Sequence, residues 1–232
     1  VALQLAPEEP EARPWRPERL AVIVESSRAG PDAAGRRAIL AIDGRSSSGK
    51  TTLAARISDL VAGSMVVHTD DIAWRHSRFG WADLLVGGVL RPARQGGAVR
   101  FQPPRWAEYG REGFISVPAG CPLLIVEGVG AGRREAAGLV DALYWVQSDA
   151  GTALRRSLAR VGTPGGPPSA ADLYAWMSEE GPFCAAERAW EHANRIVCGT
   201  PEIVLGTPEA VSGVPEIVYD PVADVLVGPD PT

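Results

Sequence analysis

The chain has 232 residues and a net charge of −5 with histidine neutral. This length suits one α/β domain with a substantial core, and the negative balance leaves no global basic field for nucleic acid. No apolar run reaches membrane-spanning length, and Cys121, Cys184 and Cys198 are too far apart for a C-x-x-C metal or redox pair, so they read as reduced, buried residues of a cytoplasmic protein.

Residues 1–17, with Pro7, Pro10, Pro14 and Pro17, read as an extended, partly disordered arm. Glu18 to Ser27 forms a helix or strand leading in, and residues 28–35 form a loop. Ala38 to Asp43 is a short apolar run, as expected of a buried parallel strand. It runs into Gly44-Arg45-Ser46-Ser47-Ser48-Gly49-Lys50-Thr51, which fits G-x-x-x-x-G-K-[ST]. Lys50 is the one lysine beside 22 arginines. A compact ammonium on a flexible stem reaches between phosphates where a planar guanidinium would fill the loop. Gly44 begins the turn, backbone N–H groups cradle the β-phosphate, and Gly49 allows close approach. The predicted nucleotide-binding set is Gly44, Ser46, Ser47, Ser48, Gly49, Lys50, Thr51 and Thr52. The Thr51 hydroxyl is the first magnesium donor. The following residues read as a helix with Leu53, Ile57, Leu60 and Val61 on one face, and its N-terminus adds partial positive charge to the anion site.

Met65 to Thr69 reads as a second strand ending in Asp70-Asp71. Residues 72–117 then collect Trp74, Phe79, Trp81, Phe101, Trp106, Tyr109 and Phe114 with seven arginines, Arg105 among them. Leu123 to Val126, closed by Glu127, is a third strand, and Ala142 to Gln147 a fourth. Ser148 or Asp149 caps a helix with Leu154, Leu158 and Val161 inward. Its opposite face carries Arg156 and Arg160, four residues apart. Residues 161–169 form a breaker-rich loop suited to a lid. Ser169 with Asp172 resembles a capping box for a helix carrying Leu173, Trp176 and Met177. Pro182 opens a further helix with Phe183, Ala186, Trp190 and Ala193 inside. Arg195 to Cys198 is the last sheet strand. Residues 18–206 thus form one three-layer, doubly wound, mostly parallel α/β domain, and 207–232 a tail with a strand at Glu216 to Tyr219.

Ligands of such sheets bind beyond the carboxyl ends of the strands, where this sequence places its acids and its phosphate loop. Glu127 suits a magnesium-water ligand, with a solvated strand-end carboxylate as the alternative. Asp70 and Asp71 are the candidate bases toward an attacking hydroxyl. Neighbours leaving a strand point to opposite sides, so one faces the phosphates and the other caps the next helix. Arg156 and Arg160 stabilise charge on the transferring group, or form a solvated basic face. In residues 72–117, Trp74, Trp81, Phe101 and Trp106 are stacking candidates for a flat acceptor and Arg105 its polar contact. Core packing is the alternative for each aromatic.

With these residues in view, the chain resembles a uridine kinase-like member of the P-loop nucleoside and nucleotide kinases. The resemblance rests on Ile42 to Leu53, His68-Thr69-Asp70-Asp71, Ile125-Val126-Glu127-Gly128, and Asp149 with Arg155, Arg156 and Arg160. It implies a P-loop fold, ATP and Mg²⁺, Asp70 as base toward a sugar hydroxyl, Glu127 at the magnesium, and Arg156 and Arg160 as lid arginines. Where uridine kinases continue with Ser-Phe-Tyr, this chain has Asp71-Ile72-Ala73-Trp74. Phe101-Gln102-Pro103-Pro104-Arg105-Trp106 stands in place of their Tyr-Asp-Phe and His segment. The expectation is therefore an ATP-dependent kinase of a nucleoside-like hydroxyl acceptor, with no nucleic-acid or membrane partner. Kinases of other hydroxyl metabolites or antibiotics, and a regulatory ATPase or switch, are the rival readings. With a single lysine, the guanine motif Asn-Lys-x-Asp of many switches cannot exist.

Overall fold

The computed structural model describes residues 2–6, 8–28, 37–205 and 219–229. Its centre is a seven-stranded sheet, and the strands in chain order are β1 (Arg16–Arg19), β2 (Ala38–Asp43), β3 (Met65–His68), β6 (Leu123–Glu127), β7 (Ala142–Gln147), β8 (Arg195–Cys198) and β9 (Asp224–Val227). Two short strands, β4 (Val99–Phe101) and β5 (Ile115–Val117), pair separately. The large sheet runs β3-β6-β2-β7-β8-β9-β1. In this sheet β3, β6, β2, β7 and β8 are parallel, while β9 and β1 close the edge antiparallel. The chain moves from β2 to one side for β3 and β6, then crosses to β7 and β8. The strand order therefore reverses at β2, where an open α/β sheet forms its ligand crevice.

Every residue of β2, β6 and β7 is buried, which explains why these strands read as continuous apolar runs rather than alternating ones. Leu40, Ile42 and Ile125 face one layer with Leu20, Ile23, Leu53 and Ile57. These come from helices α1 (Leu20–Arg28) and α2 (Lys50–Leu60). Ile39, Ala41, Leu124 and Trp145 face the other layer, with Ile72, Trp81, Leu85, Leu90 and Trp190. Leu60, expected on the inner face of α2, is 52% exposed; Leu53, Ile57 and Val61 carry that face.

The remaining helices are α3 (Thr69–Ala73), α4 (Ala82–Leu85), α5 (Arg91–Arg94), α6 (Pro104–Glu108), α7 (Ala150–Ala159), α8 (Ala170–Glu187) and α9 (Pro201–Leu205). A π-helical turn, Val86–Leu90, joins α4 to α5. Arg37 fastens this region to the sheet. Its buried guanidinium donates to the carbonyls of Ala93, Gly97, Pro118, Ala119 and Cys121, so the charge is spread over five backbone acceptors.

Several expectations are corrected. The segment expected as a flexible arm is packed: Leu3, Glu9, Ala12 and Trp15 are buried, and β1 begins within it at Arg16. Pro182 does not open a helix but sits inside α8, which runs through it. On α7 the buried residues are Thr152 and Ser157, while Leu158 is 39% exposed. Arg195–Cys198 is not the last strand, because β9 follows it. The strand expected at Glu216 to Tyr219 lies outside the described residues except for Tyr219, which is not in a strand. The three cysteines are buried and free, and burial pushes the Cys184 thiol up to about 12 and the Cys198 thiol to about 11. No helix of the described residues is long and apolar enough to cross a membrane.

Trp81 is 1% exposed, and its indole N–H donates to the Arg78 carbonyl at 2.8 Å. Arg133 lies over its ring at 4.2 Å. Trp81→Ala is therefore expected to destabilise the fold by about 3–5 kcal/mol, read as a lower urea midpoint, with the KM for any acceptor unchanged in the surviving folded protein. A selective rise in that KM would return Trp81 to a substrate-contacting role.

Candidate active site

The turn leaving β2 is closely held. Gly44 has φ 148°, and a Cβ there would lie 2.6 Å from the Val146 carbonyl oxygen, so no side chain fits. Gly49, at φ 109°, turns the chain into α2 in a left-handed conformation. Asp43, fully buried beneath the loop, accepts from the N–H groups of Gly44 (2.7 Å), Gly130 (2.9 Å) and Gly132 (2.8 Å). Burial raises its pKa, and these three donors oppose the rise. Asp43 thus braces the phosphate loop against the loop that follows β6.

A cavity of about 960 Å³ opens beyond the carboxyl ends of the strands. Ser46, Ser47, Gly49, Lys50, Thr51 and Thr52 line one wall. Gly44 and Ser48 do not line it; Ser48 is 1% exposed and supports the loop from behind. Lys50 is 7% exposed, and its ammonium donates to the Arg45 carbonyl at 2.7 Å. The Thr51 hydroxyl lies 3.3 Å from the buried Glu127 carboxylate, to which His68 Nδ1 is also hydrogen-bonded. That bond to Glu127 is the main reason the His68 pKa is raised, with burial opposing it and the charges of Glu127, Asp71 and Asp70 adding to it.

Asp70 and Asp71 both lie in the first turn of α3 and diverge. Asp70 opens onto the cavity. The protein around its carboxyl raises its pKa by desolvation, Lys50 lowers it, and Glu127 raises it again. Asp71 caps no helix. It pairs with Arg111 at 2.6 Å, and Arg111 in turn lies 3.7 Å over the Trp106 ring.

Asp149 is the N-cap of α7, accepting from the Thr152 N–H at 2.8 Å. The helix then turns Arg156, Ser157 and Arg160 toward the cavity. Arg156 donates to the Gly199 carbonyl at 3.0 Å and to Glu202 at 2.9 Å. Ser157 meets Ser47 of the phosphate loop at 2.8 Å. Arg160 donates to the Gly165 carbonyl at 2.8 Å, tying the helix to the breaker-rich loop, whose Gly165 to Pro168 also line the cavity.

Trp74, Trp81, Phe101, Arg105 and Trp106 do not line this cavity. Trp106 is 5% exposed, with its indole N–H on the Asp71 carbonyl at 2.8 Å. Phe101 packs against Gly88. Trp74 stands edge-on to Tyr109, and Arg105 pairs with Glu108 at the surface. Two aromatics line the cavity, Tyr219 and Trp176 of α8, the latter together with Arg78, Asp172 and Leu173. The Trp176 indole N–H donates to Ser46 Oγ at 2.8 Å. Buried Glu180, one turn further on, accepts from both the N–H and the hydroxyl of Ser46, at 2.7 and 2.6 Å. In the sequence, Trp176 shows only helical placement. No local signal announces that α8 packs on the phosphate loop.

A parallel sheet whose central strand delivers a glycine-framed phosphate loop onto a helix N-terminus defines the fold as that of the P-loop α/β proteins. Among solved structures, the chain is similar to a "possible uridine kinase" of Bacillus stearothermophilus, with 18% identity over 77% of this chain and 96% of that chain, at a TM-score of 0.51. A protein of Silicibacter sp. TM1040, provisionally assigned as a fructose transport system kinase, matches with 16% identity over 76% and 95% of the two chains, at a TM-score of 0.47. No protein-family model and no curated protein matches the chain. The likeness is one of fold: a mostly parallel sheet with flanking helices, as in uridine kinase-like P-loop proteins.

Proposed function

We propose that the protein is an ATP-dependent phosphotransferase that moves the γ-phosphoryl group to a hydroxyl of a nucleoside or nucleoside-like small molecule. The observation that carries this reading is the meeting of Lys50, Thr51, Asp70, Glu127, Arg156 and Arg160 on one cavity. The N–H groups of the phosphate loop and the Lys50 ammonium bind the triphosphate. Arg156 and Arg160 neutralise charge on the moving group. Asp70 accepts the proton of the acceptor hydroxyl as the new O–P bond forms and the bond to the departing ADP breaks.

The donor set also fits magnesium. Thr51 and Glu127 offer hard oxygens on the same wall, and Mg²⁺ takes one or two protein oxygens, with water and phosphate completing its shell. When bound, the ion supplies positive charge at the β- and γ-phosphate oxygens. Among the described residues no group of three or more His, Cys, Asp or Glu gathers as a metal site, and this mode of binding needs none.

The ring-bearing acceptor is supported by Trp176. Its indole N–H is held by Ser46, and the residue lines the same cavity as Asp70. Trp176→Ala is expected to raise the acceptor KM about tenfold, the scale of one lost stacking contact, with ATP KM changed far less. Trp176→Phe keeps a ring but not the N–H bond, so it separates stacking from support of Ser46. An unchanged acceptor KM in both variants removes Trp176 from the acceptor site.

The function itself is tested by ADP release with ATP and magnesium, with and without a panel of hydroxyl acceptors, and with products identified by mass spectrometry. Acceptor-dependent release with a phosphorylated nucleoside is the expected result. Release that ignores every acceptor would favour an ATPase or switch. Phosphorylation of an open-chain alcohol alone would overturn the nucleoside part of the reading.

A further inference from the structure

A buried carboxylate outside the machinery described above reaches the phosphate loop from the N-terminal segment. Glu9 is 6% exposed. Its Oε1 accepts from Trp145 Nε1 at 2.6 Å and from Gln147 Nε2 at 3.0 Å, both near the carboxyl end of β7. Its Oε2 accepts from Arg45 Nε at 3.2 Å. Arg45 is the second residue of the phosphate loop, and its backbone carbonyl holds the Lys50 ammonium. One residue therefore stands between Glu9 and the lysine that meets the phosphates. The opposite end of the same segment touches the other half of the site. The Gln4 N–H donates to Asp149 Oδ2 at 3.0 Å, and the Gln4 carbonyl accepts from the Ala150 N–H at 2.7 Å. These bonds lie at the start of α7, the helix that carries Arg156 and is capped at its far end by Arg160. Beyond Glu9, the Ala12 N–H donates to Gln147 Oε1 at 3.0 Å.

A desolvated carboxylate persists only where its partners compensate it. Here the charged partner is a residue of the phosphate loop. We infer that residues 2–6 and 8–15 act as a strap that positions the phosphate loop and the base of α7 for nucleotide, with Glu9 a positioning residue acting through Arg45. The inference rests on the loop's binding a nucleoside triphosphate. Without the Glu9 charge, the Arg45 guanidinium loses its acceptor, and the loop segment whose carbonyl seats Lys50 loses its tether.

The test uses the full chain with magnesium and a non-hydrolysable ATP analogue, titrated by calorimetry, with a thermal melt for each variant. Glu9→Gln keeps the side-chain volume and one oxygen for Trp145 while removing the charge. Glu9→Gln and Arg45→Gln are each expected to raise Kd about tenfold, within the range of coupling between side chains in contact. The double variant is expected to be no weaker than the weaker single, because both remove the same link. A Kd that stays put while the melting temperature falls would overturn the proposal and leave the strap as packing. Additive losses in the double variant would also overturn it, since Glu9 would then not act through Arg45. If Glu9→Gln does not fold, Arg45→Gln, whose side chain is partly exposed, decides on the same reading of Kd. Wild-type protein that binds no analogue would overturn both the strap and the phosphotransferase reading. Binding by wild type with unchanged variants would overturn the strap alone.

Discussion

Lys50→Ala is expected to lower turnover by at least about 10²–10³-fold, the scale of removing one fixed donor from a developing charge, while leaving the melting temperature within a few degrees of wild type. The asymmetry follows from what the side chain touches. Lys50 contributes little to the core. Its ammonium donates to a single carbonyl, that of Arg45, at the wall of the cavity. Lys50→Arg is expected to fail almost as fully. The guanidinium is wider and planar, and its rigid fork does not reproduce the compact ammonium that Lys50 sets on the Arg45 carbonyl. The sequence leads to the same expectation from the other side, because a chain with 22 arginines has kept its one lysine here. The two measurements are steady-state turnover and a thermal melt. A folded Lys50→Arg protein with near-normal turnover would sink the phosphate-loop assignment.

The parts of the site legible in sequence were those whose chemistry is local. The phosphate loop is eight consecutive residues, and the flanking strand and helix carry their own periodicities, so Ala38–Asp43 and Lys50–Leu60 stand where the pattern placed them. Glu127 was legible because it ends an unbroken apolar strand. What failed required knowing which surface covers which. The tryptophans of residues 72–117 are chemically able to stack on a ligand, but Trp81 and Trp106 instead carry the core of that layer, each with its N–H on a backbone carbonyl. On α7 the leucine periodicity was present, yet the face that packs is Thr152 and Ser157, because this helix leans on the phosphate loop rather than on an apolar layer. Pro182 lacks an N–H and so suggested a helix start, whereas α8 runs on through the proline. The prolines of residues 1–17 suggested a loose arm. Its anchors, Glu9 to Trp145 and Gln147, span more than 130 positions and leave no trace in a local window.

The second large effect separates the neighbouring acids. Asp70→Asn is expected to lower kcat by roughly 10²-fold or more, since the amide keeps the shape but cannot take the acceptor's proton. Asp71→Asn is expected to leave kcat within a few-fold. Its carboxylate is committed to Arg111, a partly exposed pair contributing on the order of 1 kcal/mol or less to stability, so the change should appear mainly in the melting temperature or KM. The pH profile adds an independent reading. Desolvation raises the Asp70 pKa above the ordinary 3.8, with Lys50 pulling it back and Glu127 pushing it up. A base works only when deprotonated, so kcat/KM, which reports the free enzyme, is expected to fall as pH drops through that raised value. The acid limb should therefore lie above 3.8 and should be absent from the residual activity of Asp70→Asn. Removing the Asp71 charge should leave the limb in place. If Asp71→Asn abolishes turnover and erases the limb while Asp70→Asn does neither, the proton acceptor is Asp71, and α3 must rotate on substrate binding to release it from Arg111.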